Sequence, residues 1–561
     1  MTGAPPSTVG WLQVLTTTDH APRPTEITIT MTGAPPSTVG WLQVPTTTEL
    51  PTAAPAPDTG WLLLNEDGWL SAESAYFIGT FLPVLLASIF SIPWKILDLE
   101  TKSLEPFAQL ARRGGGRASQ TLLLQYNGVY GLFSAFTALF TGHSAVALST
   151  FLNYSSALLI PLATESVRLT LQGECLQDWT KHCTAALQAT DPVIRAAQAL
   201  LSAMACVVIA YIVLLRKRTF GVSSDPRTML GIASHSLNPY LSAIMRRISL
   251  GSDGMFSAAR AAAILGERIF EFGYVTNPSG EQEYGIIVID DVAKNPAQMS
   301  DPPPLAIDRG ASKRSVVFGM LVKVISFAIF MLGLIILILY YRLTYEDSGF
   351  ERFMNSQSKF GARFLFTVFG VITGFGWVSI FNELAMILPA WAMSRRPTKP
   401  KHSILMPLSP NPYVGITTYF DRGHKLLALV SVVTVLSDFL PIVLANIPFN
   451  NAITWTTFNV CTWLSVGVLG FMVVVLAIIA GIILFSSPGR HFPFASTDLG
   501  TLAAILYLAC RSEDCLAQLQ SLSVAGKAEI EQRMKTLKSK YSIISVVDED
   551  GNPHVTIQVT L

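Results

Sequence analysis

The sequence predicts an α-helical integral membrane protein with about seven transmembrane helices. Half of its 561 residues are hydrophobic, the mean hydropathy is +0.44, and only 14 % of the residues are charged. A typical soluble domain has roughly 25 % charged residues. Several apolar runs reach the length of about 20 residues that a helix needs to cross a bilayer. Inside a bilayer such a run must be helical, because no water satisfies the polar groups of an open backbone.

An internal duplication organises these runs. Residues 79–97 and 370–388 share a Gly, the triplet Ser-Ile-Phe and the final Ile-Leu without a gap. Further along the chain, Gly142-His143 and Gly423-His424 each open an apolar run. The chain is therefore predicted to contain an internal repeat. We place the two copies at residues 72–292 and 364–561.

Each repeat has three predicted spans. They cover residues 75–94, 143–163 and 197–215 in the first repeat, and 364–388, 424–447 and 463–485 in the second. A connecting span at 316–341 follows a proline-containing linker at 293–315. Because each repeat has an odd number of spans, this extra crossing gives both copies the same direction. We therefore expect a parallel repeat.

The second span has two candidate positions. The apolar stretch 129–163 is too long for one untilted span. If the span starts near His143, residues 129–141 would lie along the membrane interface. A span at 129–149 would instead expose Asn153-Tyr154-Ser155, which has the N-glycosylation pattern.

A small soluble module follows the spans of each repeat, at residues 220–291 and 487–561. Both modules contain a helical pattern and one β-hairpin pattern. The predicted hairpin strands are 269–276 and 281–290 in the first module, and 541–547 and 553–559 in the second. A lone hairpin is marginally stable in water, so we expect the two modules to pack on each other as one α+β unit.

The basic residues predict the orientation. The segments 95–127, 216–314, 392–423 and 487–561 hold 29 of the 39 Lys and Arg residues, whereas the segments on the other side hold 7. The positive-inside rule then places the amino terminus outside, with both modules and the carboxyl terminus in the cytosol. We expect the plasma membrane or another membrane of the secretory pathway.

Residues 1–71 form a tail rich in Thr and Pro. The sequence MTGAPPSTVGWLQV starts at Met1 and again at Met31. Such a segment buries too little apolar surface to offset its chain entropy, so we predict that it is disordered. Its composition suits an O-glycosylated stalk. A tandem copy without a role is the interpretation we favour.

Asp438 is the candidate intramembrane polar site, because it lies well inside the sixth span. A charged side chain there is costly and should face the bundle or a wet cavity. It is either an ion or proton site or a structural hydrogen-bonding group. We favour the structural role, since the sequence suggests no second deep acid or base beside it. Lys323 is expected to snorkel to the head groups, and Glu383 to lie at head-group depth.

Two further pairs have simpler expectations. His143 and His424 lie at matched edges of their spans and are interpreted as interfacial anchors. Cys175 and Cys183 lie in one short loop on the predicted outer side, where oxidation is favoured, so we predict a disulfide between them.

The sequence lacks the motifs of the common enzyme classes. It contains no Gly-x-Ser-x-Gly elbow, no His-Glu-x-x-His and no Walker or Rossmann loop in a strand–helix context. Its Cys and His residues do not have zinc spacing. We therefore expect no catalytic, cofactor-binding or metal site. The net charge of +1 gives no polyanion signal, so nucleic acid is not an expected partner.

The run from Trp94 to Tyr126, WKILDLETKSLEPFAQLARRGGGRASQTLLLQY, resembles a fungal membrane family. That family is built on a repeated domain of unknown function, number 3433. The segment 226–289 and the two Gly-His spans are similar to it in order and spacing. The resemblance implies a fungal source and a multi-pass membrane protein, and it supplies no catalytic residues. Each copy in that family usually has a leading span, which the first repeat here lacks.

Three functions are compatible with these features. A non-enzymatic scaffold or adaptor, with a cytosolic protein partner at the paired modules, is the function we favour. The alternatives are a transporter or channel that uses Asp438, and a cell-surface sensor with a Thr/Pro-rich stalk.

Overall fold

The computed structural model describes most of the chain from Ala72 onward. The described residues are 28–29, 72–126, 134–173, 183–248, 256–276, 280, 282–289, 313–343, 361–408, 411–448, 455–485, 500–520, 529, 532–533, 539–547 and 553–560. The helices are α1 (Ala72–Thr80), α2 (Leu82–Leu110), α3 (Ser134–Thr141), α4 (Ser144–Ser166), α5 (Asp191–Arg216), α6 (Met229–Ala233), α7 (Pro239–Arg247), α8 (Ala258–Leu265), α9 (Lys313–Leu343), α10 (Ala362–Arg395), α11 (Pro412–Asp421), α12 (Lys425–Leu444), α13 (Trp455–Phe485), α14 (Leu502–Cys510) and α15 (Glu513–Gln520). The strands are β1 (Thr28–Ile29), β2 (Gly116–Arg117), β3 (Val167–Gly173), β4 (Cys183–Ala189), β5 (Ile269–Thr276), β6 (Gln282–Ile289), β7 (Lys540–Val547) and β8 (Pro553–Thr560).

Within this described part of the chain, seven helices are long and apolar enough to cross a membrane. They are α2, α4, α5, α9, α10, α12 and α13. The prediction of about seven spans is thereby confirmed. Much of the surface of α5, α9 and α13 is apolar and exposed, as expected of helices that face lipid.

Helix α2 is longer than the sequence predicted. The predicted first span ends at residue 94, but the helix continues through Leu104-Glu105-Pro106-Phe107 to Leu110. The apolar side chains Phe107 and Leu110 are buried in a hydrophobic core, and Glu105 is buried as well. The carboxylate of Glu105 accepts hydrogen bonds from Gln109 (2.6 Å) and from the guanidinium of Arg218 (2.5 Å). The helix extends beyond the predicted span because these partners satisfy the charge of Glu105 inside the fold.

A duplicated backbone break separates α3 from α4 and α11 from α12. Gly142 and Gly423 have φ angles of +79° and +74°, which a glycine adopts without strain. The histidines that follow have nearly identical dihedrals, φ −85° and ψ 68° for His143, φ −88° and ψ 68° for His424. The second long helix therefore starts after His143. The alternative span at 129–149 is wrong, and Asn153 is buried within α4 rather than exposed for glycosylation.

The long helices of the two repeats pack in a reciprocal pattern. Helix α2 packs on α4, and α10 packs on α12 in the same way. Between the repeats, α4 packs on α10 and α2 packs on α12. Tyr154 of α4 meets Phe375 of α10, with ring centroids 5.8 Å apart. Helix α9, which connects the repeats, packs mainly along α13.

Four separate segments of the chain build one hydrophobic core at one end of this bundle. We call the unit that contains it the composite domain, formed by the described parts of 105–126, 220–289, 390–408 and 500–560. Its core joins Leu122, Ile244, Met393 and Ile505, among many others. The rings of Phe256 and Tyr507, from the two modules, lie 5.3 Å apart between centroids. The two modules pack on each other as the sequence predicted.

Antiparallel hairpins complete the fold. The predicted hairpins are present as β5–β6, to which β2 adds, and as β7–β8. A third hairpin, β3–β4, occupies what was predicted to be a polar loop. Val167, Leu169 and Leu171 alternate there with polar residues, which is a strand pattern.

Some expectations lie outside the described residues. They include residues 293–312 of the linker and nearly all of the tail. Within the tail only Thr28–Ile29 is described, and it pairs with β4. Cys183 lies opposite Gly173 at the open end of the β3–β4 pairing. Its proposed partner Cys175 is not among the described residues, so the disulfide stays a prediction.

Candidate functional site

A cavity of about 570 Å³ lies where the two repeats meet the connecting helix. It is lined by residues of α2, α4, α9 and α10, and also by Tyr126. The wall is mostly apolar, with rings from Phe327, Phe330 and Phe375. Its charged groups are the ammonium groups of three lysines and one carboxylate, namely Lys95, Lys102, Lys323 and Asp98.

Lys95 and Asp438 form an ion pair between the repeats. Lys95 lies in α2, and its ammonium contacts one carboxylate oxygen of Asp438 in α12. The other oxygen accepts a hydrogen bond from the hydroxyl of Tyr413, at the start of α11. Asp438 is 4 % exposed. Burial, together with the negative charge of Asp438, raises the pKa of Tyr413, so this phenol remains a hydrogen-bond donor.

The structure corrects the expectation that Asp438 has no deep partner. The first span predicted from the sequence ends at residue 94, which places Lys95 just outside the membrane. The extension of α2 to Leu110 puts Lys95 in the middle of a helix. A signal was present in the sequence, since Lys95, Asp98 and Lys102 are spaced to share one helix face.

Asp98 is the most completely satisfied charge in the cavity wall. One of its oxygens accepts hydrogen bonds from Ser149 (3.0 Å) and Thr150 (2.8 Å). The other accepts from Lys102 (2.7 Å) and Asn153 (3.0 Å). A carboxylate has about four lone-pair positions. Asp98 therefore fixes α4 against α2 and has little capacity left to accept from a ligand.

Lys323 and Glu383 form the third ion pair. The Lys323 ammonium donates to the Glu383 carboxylate (2.5 Å) and to the hydroxyl of Ser379 (2.8 Å). Glu383 is buried. The Lys323 ammonium therefore points into the bundle, and the Glu383 carboxylate is shielded from solvent. Each residue supplies the counter-charge that makes the other tolerable inside the bundle.

A second charged cluster lies at the opposite end of the interface between the repeats. Glu165, at the end of α4, is buried and pairs with Arg168. Its carboxylate also accepts a hydrogen bond from the backbone N–H of Phe364, at the start of α10 (3.2 Å). The neighbouring Arg363 donates to the carbonyl of Ala445, at the end of α12 (3.1 Å). Polar contacts thus join the repeats at both ends.

The paired histidines differ from simple interfacial anchors. His143 is buried and forms a hydrogen bond with the hydroxyl of Tyr126. Burial lowers the pKa of His143, although the carboxylate of Glu105 opposes the shift. His424 is half-buried and lies 3.2 Å, through Nε2, from the carbonyl of His402. Both histidines hold a loop against the start of a long helix.

In the part of the chain that the structure describes, there is no cluster of three His, Cys, Asp or Glu residues that could hold a metal ion. Cys206, Cys461 and Cys510 are free thiols. Burial raises the pKa of Cys510 to about 11, which suppresses its reactivity.

A domain family described as a protein of unknown function, DUF3433, matches the chain twice, at residues 77–168 and 360–449. We call the two matched segments the DUF3433 copies. Each copy covers the first two long helices of its repeat, and α5, α9 and α13 lie outside both. The search of curated proteins and the search of solved structures gave no match. The cavity lies between the two DUF3433 copies, with α9 as its third wall.

Proposed function

We propose that this DUF3433 protein is a non-enzymatic membrane adaptor whose composite domain presents a binding surface to a cytosolic protein. The observation that carries the proposal is the shared core, because four segments spread from Phe107 to Ile557 contribute to it. All four belong to the segments that are rich in Lys and Arg. The positive-inside rule supports a cytosolic location for this unit.

The attachment of the composite domain to the bundle supports an adaptor role. Helix α2 continues into the domain core through Phe107 and Leu110, and α10 does so through Ala390 and Met393. A domain that shares two continuous helices with the membrane bundle has a fixed orientation. A partner bound to it would therefore be held at a defined distance and angle from the membrane.

Proximity labelling tests this function. A labelling enzyme is fused to the carboxyl terminus of the full chain, and wild-type protein is compared with Tyr507→Ala, which removes a buried ring from the core. The matched control is Ile329→Trp, at an exposed position of α9. We expect a labelled partner that is lost with Tyr507→Ala and retained with Ile329→Trp when the proteins have equal abundance in the membrane. That partner should also bind the purified wild-type protein directly. Identical labelling by all three proteins would contradict the adaptor role.

A second candidate, transport, is favoured by one observation. The buried Lys95–Asp438 pair lies between the two DUF3433 copies beside the cavity, where relative movement of the copies would expose it. Titratable groups of this kind are used in transport pathways. Purified protein in vesicles with a pH-sensitive dye should then show a proton-coupled flux that Asp438→Asn abolishes. A flux equal to that of protein-free vesicles would remove this candidate.

A further inference from the structure

The cavity lies in the half of the bundle next to the composite domain. Lys323 is seven residues beyond Val316, where the apolar run of α9 begins. At a rise of 1.5 Å per residue, its backbone is about 10 Å from that end of the apolar span. Lys95 and Lys102 lie on the part of α2 that leads into the composite domain. The charged part of the cavity therefore lies between the bilayer centre and the head groups on the side of the composite domain.

The cavity wall presents hydrogen-bond donors with positive charge. Asp438 and Glu383 compensate Lys95 and Lys323, but neither carboxylate belongs to the lining. An ammonium group has three donors. Lys95 and Lys102 are each seen to use one of them on a carboxylate, and Lys323 uses two. Three carboxylates match the charges of the three lysines, so the polar end of the cavity offers an anion the donors that remain on the ammonium groups and no excess of positive charge.

Two acceptors in the wall lack a partner among the described residues. They are the side-chain oxygens of Asn153 and Asn382, both buried and both on residues that line the cavity. The orientation of the Asn153 amide is fixed, because its nitrogen donates to Asp98 and a carboxylate only accepts. A buried unsatisfied acceptor costs about 1–3 kcal/mol. A ligand that brings a hydroxyl or ammonium donor would satisfy it.

The remaining wall is apolar. Phe327 and Phe330 of α9 stack at 6.3 Å between ring centroids, and Phe375 and Ile372 of α10 line the same space. Pockets of about 300–1,000 Å³ with a few convergent polar groups bind small molecules. A molecule that fits this wall has an anionic phosphate-like group, a nearby donor and an apolar tail.

We propose that the cavity between the two DUF3433 copies binds an anionic glycerophospholipid. Its phosphate lies among Lys95, Lys102 and Lys323, its head-group donor reaches the oxygen of Asn153, and its acyl chains lie along Phe327 and Phe330. This site is independent of the adaptor role, because it involves none of the composite domain core.

Native mass spectrometry of the full-length protein tests the proposal. The protein is released from nanodiscs that contain equal amounts of phosphatidylserine and phosphatidylcholine. Phosphatidylserine has a net negative head group with an ammonium donor, whereas phosphatidylcholine is neutral and has no such donor. We expect one retained phosphatidylserine per chain, enriched over phosphatidylcholine on the order of tenfold, which corresponds to 1.4 kcal/mol.

Two variants separate binding from folding. Ser326→Trp fills the cavity from α9 without changing an ion pair, and Ile329→Trp is its control on the exposed face of the same helix. Lys323→Gln combined with Glu383→Gln removes one ammonium group together with its counter-charge. The retained lipid should be lost in Ser326→Trp, reduced in the double variant and unchanged in Ile329→Trp.

Two results would overturn the site. Equal retention of both lipids, or retention of phosphatidylserine by Ser326→Trp, would show that the lipid binds elsewhere or without regard to charge. Displacement of the lipid by an equal concentration of glycerophosphoserine, which has the same head group without acyl chains, would identify a soluble phosphate ester as the ligand.

Discussion

Asp438 and Lys95 form one ion pair to which both DUF3433 copies contribute. Replacing one of the two residues should therefore have a different effect on stability from replacing both. Breaking a fully buried ion pair by removing one partner costs about 3–5 kcal/mol, because a charge is left uncompensated. Replacing both partners with neutral groups is often close to neutral. Lys95 retains some solvent access, so a smaller cost is expected here.

The single variant Asp438→Asn should lower stability by about 2–3 kcal/mol, since the Lys95 ammonium loses its carboxylate. The double variant Lys95→Met with Asp438→Asn should regain most of that loss, because the amide oxygen can still accept from Tyr413. The measurement is thermal unfolding of purified protein in one detergent. A double variant that is less stable than Asp438→Asn alone and than Lys95→Met alone would show that the pair does not act as a unit.

His235 makes the composite domain sensitive to acid. It is buried against the rings of Phe272 and Tyr284, and burial lowers its pKa to about 4. In the unfolded chain the pKa is about 6.5. The contribution of His235 to stability is therefore fully present above about pH 6.5 and is lost as the pH falls toward 4. The total loss is roughly 3 kcal/mol.

Hydrogen exchange of the full chain checks this pH dependence. Protection factors of β5 and β6 amides, corrected for intrinsic exchange, should fall between pH 7 and pH 5. His235→Phe keeps an aromatic ring beside Phe272 and removes the titration, so its protection should change much less. The same decline in both proteins would assign the acid sensitivity to other groups.

Single polar residues were predictable here only in part. Asp438 stands out in the sequence because it interrupts an apolar span. Its partners Lys95 and Tyr413 come from a different repeat and a different helix, so no local spacing points to them. Asn153 was visible only as a glycosylation pattern, because its contact with Asp98 depends on how α2 and α4 pack.

At the scale of elements, the Gly-His break has nearly the same backbone geometry in both DUF3433 copies. The amide of His143 bonds to the carbonyl of Ala138 at 2.8 Å, and that of His424 bonds to Tyr419 at 2.9 Å. The break turns the chain from a short helix into a long one in each DUF3433 copy. Its geometry requires a positive φ at the glycine.

Gly423→Ala should destabilise the protein by about 1–2 kcal/mol, the cost of a left-handed conformation for an L-residue. A Cβ at this position meets no atom within 4 Å, so the cost is conformational and not a clash. The control is Gly467→Ala in α13, which also has open space around it and should be neutral or stabilising, because alanine favours a helix. Equal unfolding temperatures for the two variants would contradict the role of the turn.

The long helices were predictable as elements because an apolar run of sufficient length has few alternatives in a bilayer. The β5–β6 and β7–β8 hairpins were predictable from alternation around turn residues. The end of α2 and the β3–β4 hairpin were not. In both places charged or polar residues suggested a loop. Regular structure forms instead because tertiary partners satisfy such residues, as Arg218 does for Glu105.

On the scale of the whole molecule, the two modules could be expected to pair because neither hairpin has enough apolar contacts of its own. The cavity could not be expected, since it is formed by both DUF3433 copies and by α9, which belongs to neither. A space between three separately predicted units has no sequence pattern of its own.

The shared core makes the stability of one module depend on the other. Tyr507 of α14 is fully buried, contacts Phe256 of the first module, and belongs to a helix that packs on α6 and α7. Truncation of a buried aromatic ring typically costs about 3–5 kcal/mol. Tyr507→Ala should therefore reduce amide protection in α6, α7 and β6 as well as in α14, as measured by hydrogen exchange of the full chain. Val547→Ala, at an exposed position of β7, should change neither module. Loss of protection confined to residues 500–560 would mean that the modules fold independently and that their contact contributes little to stability.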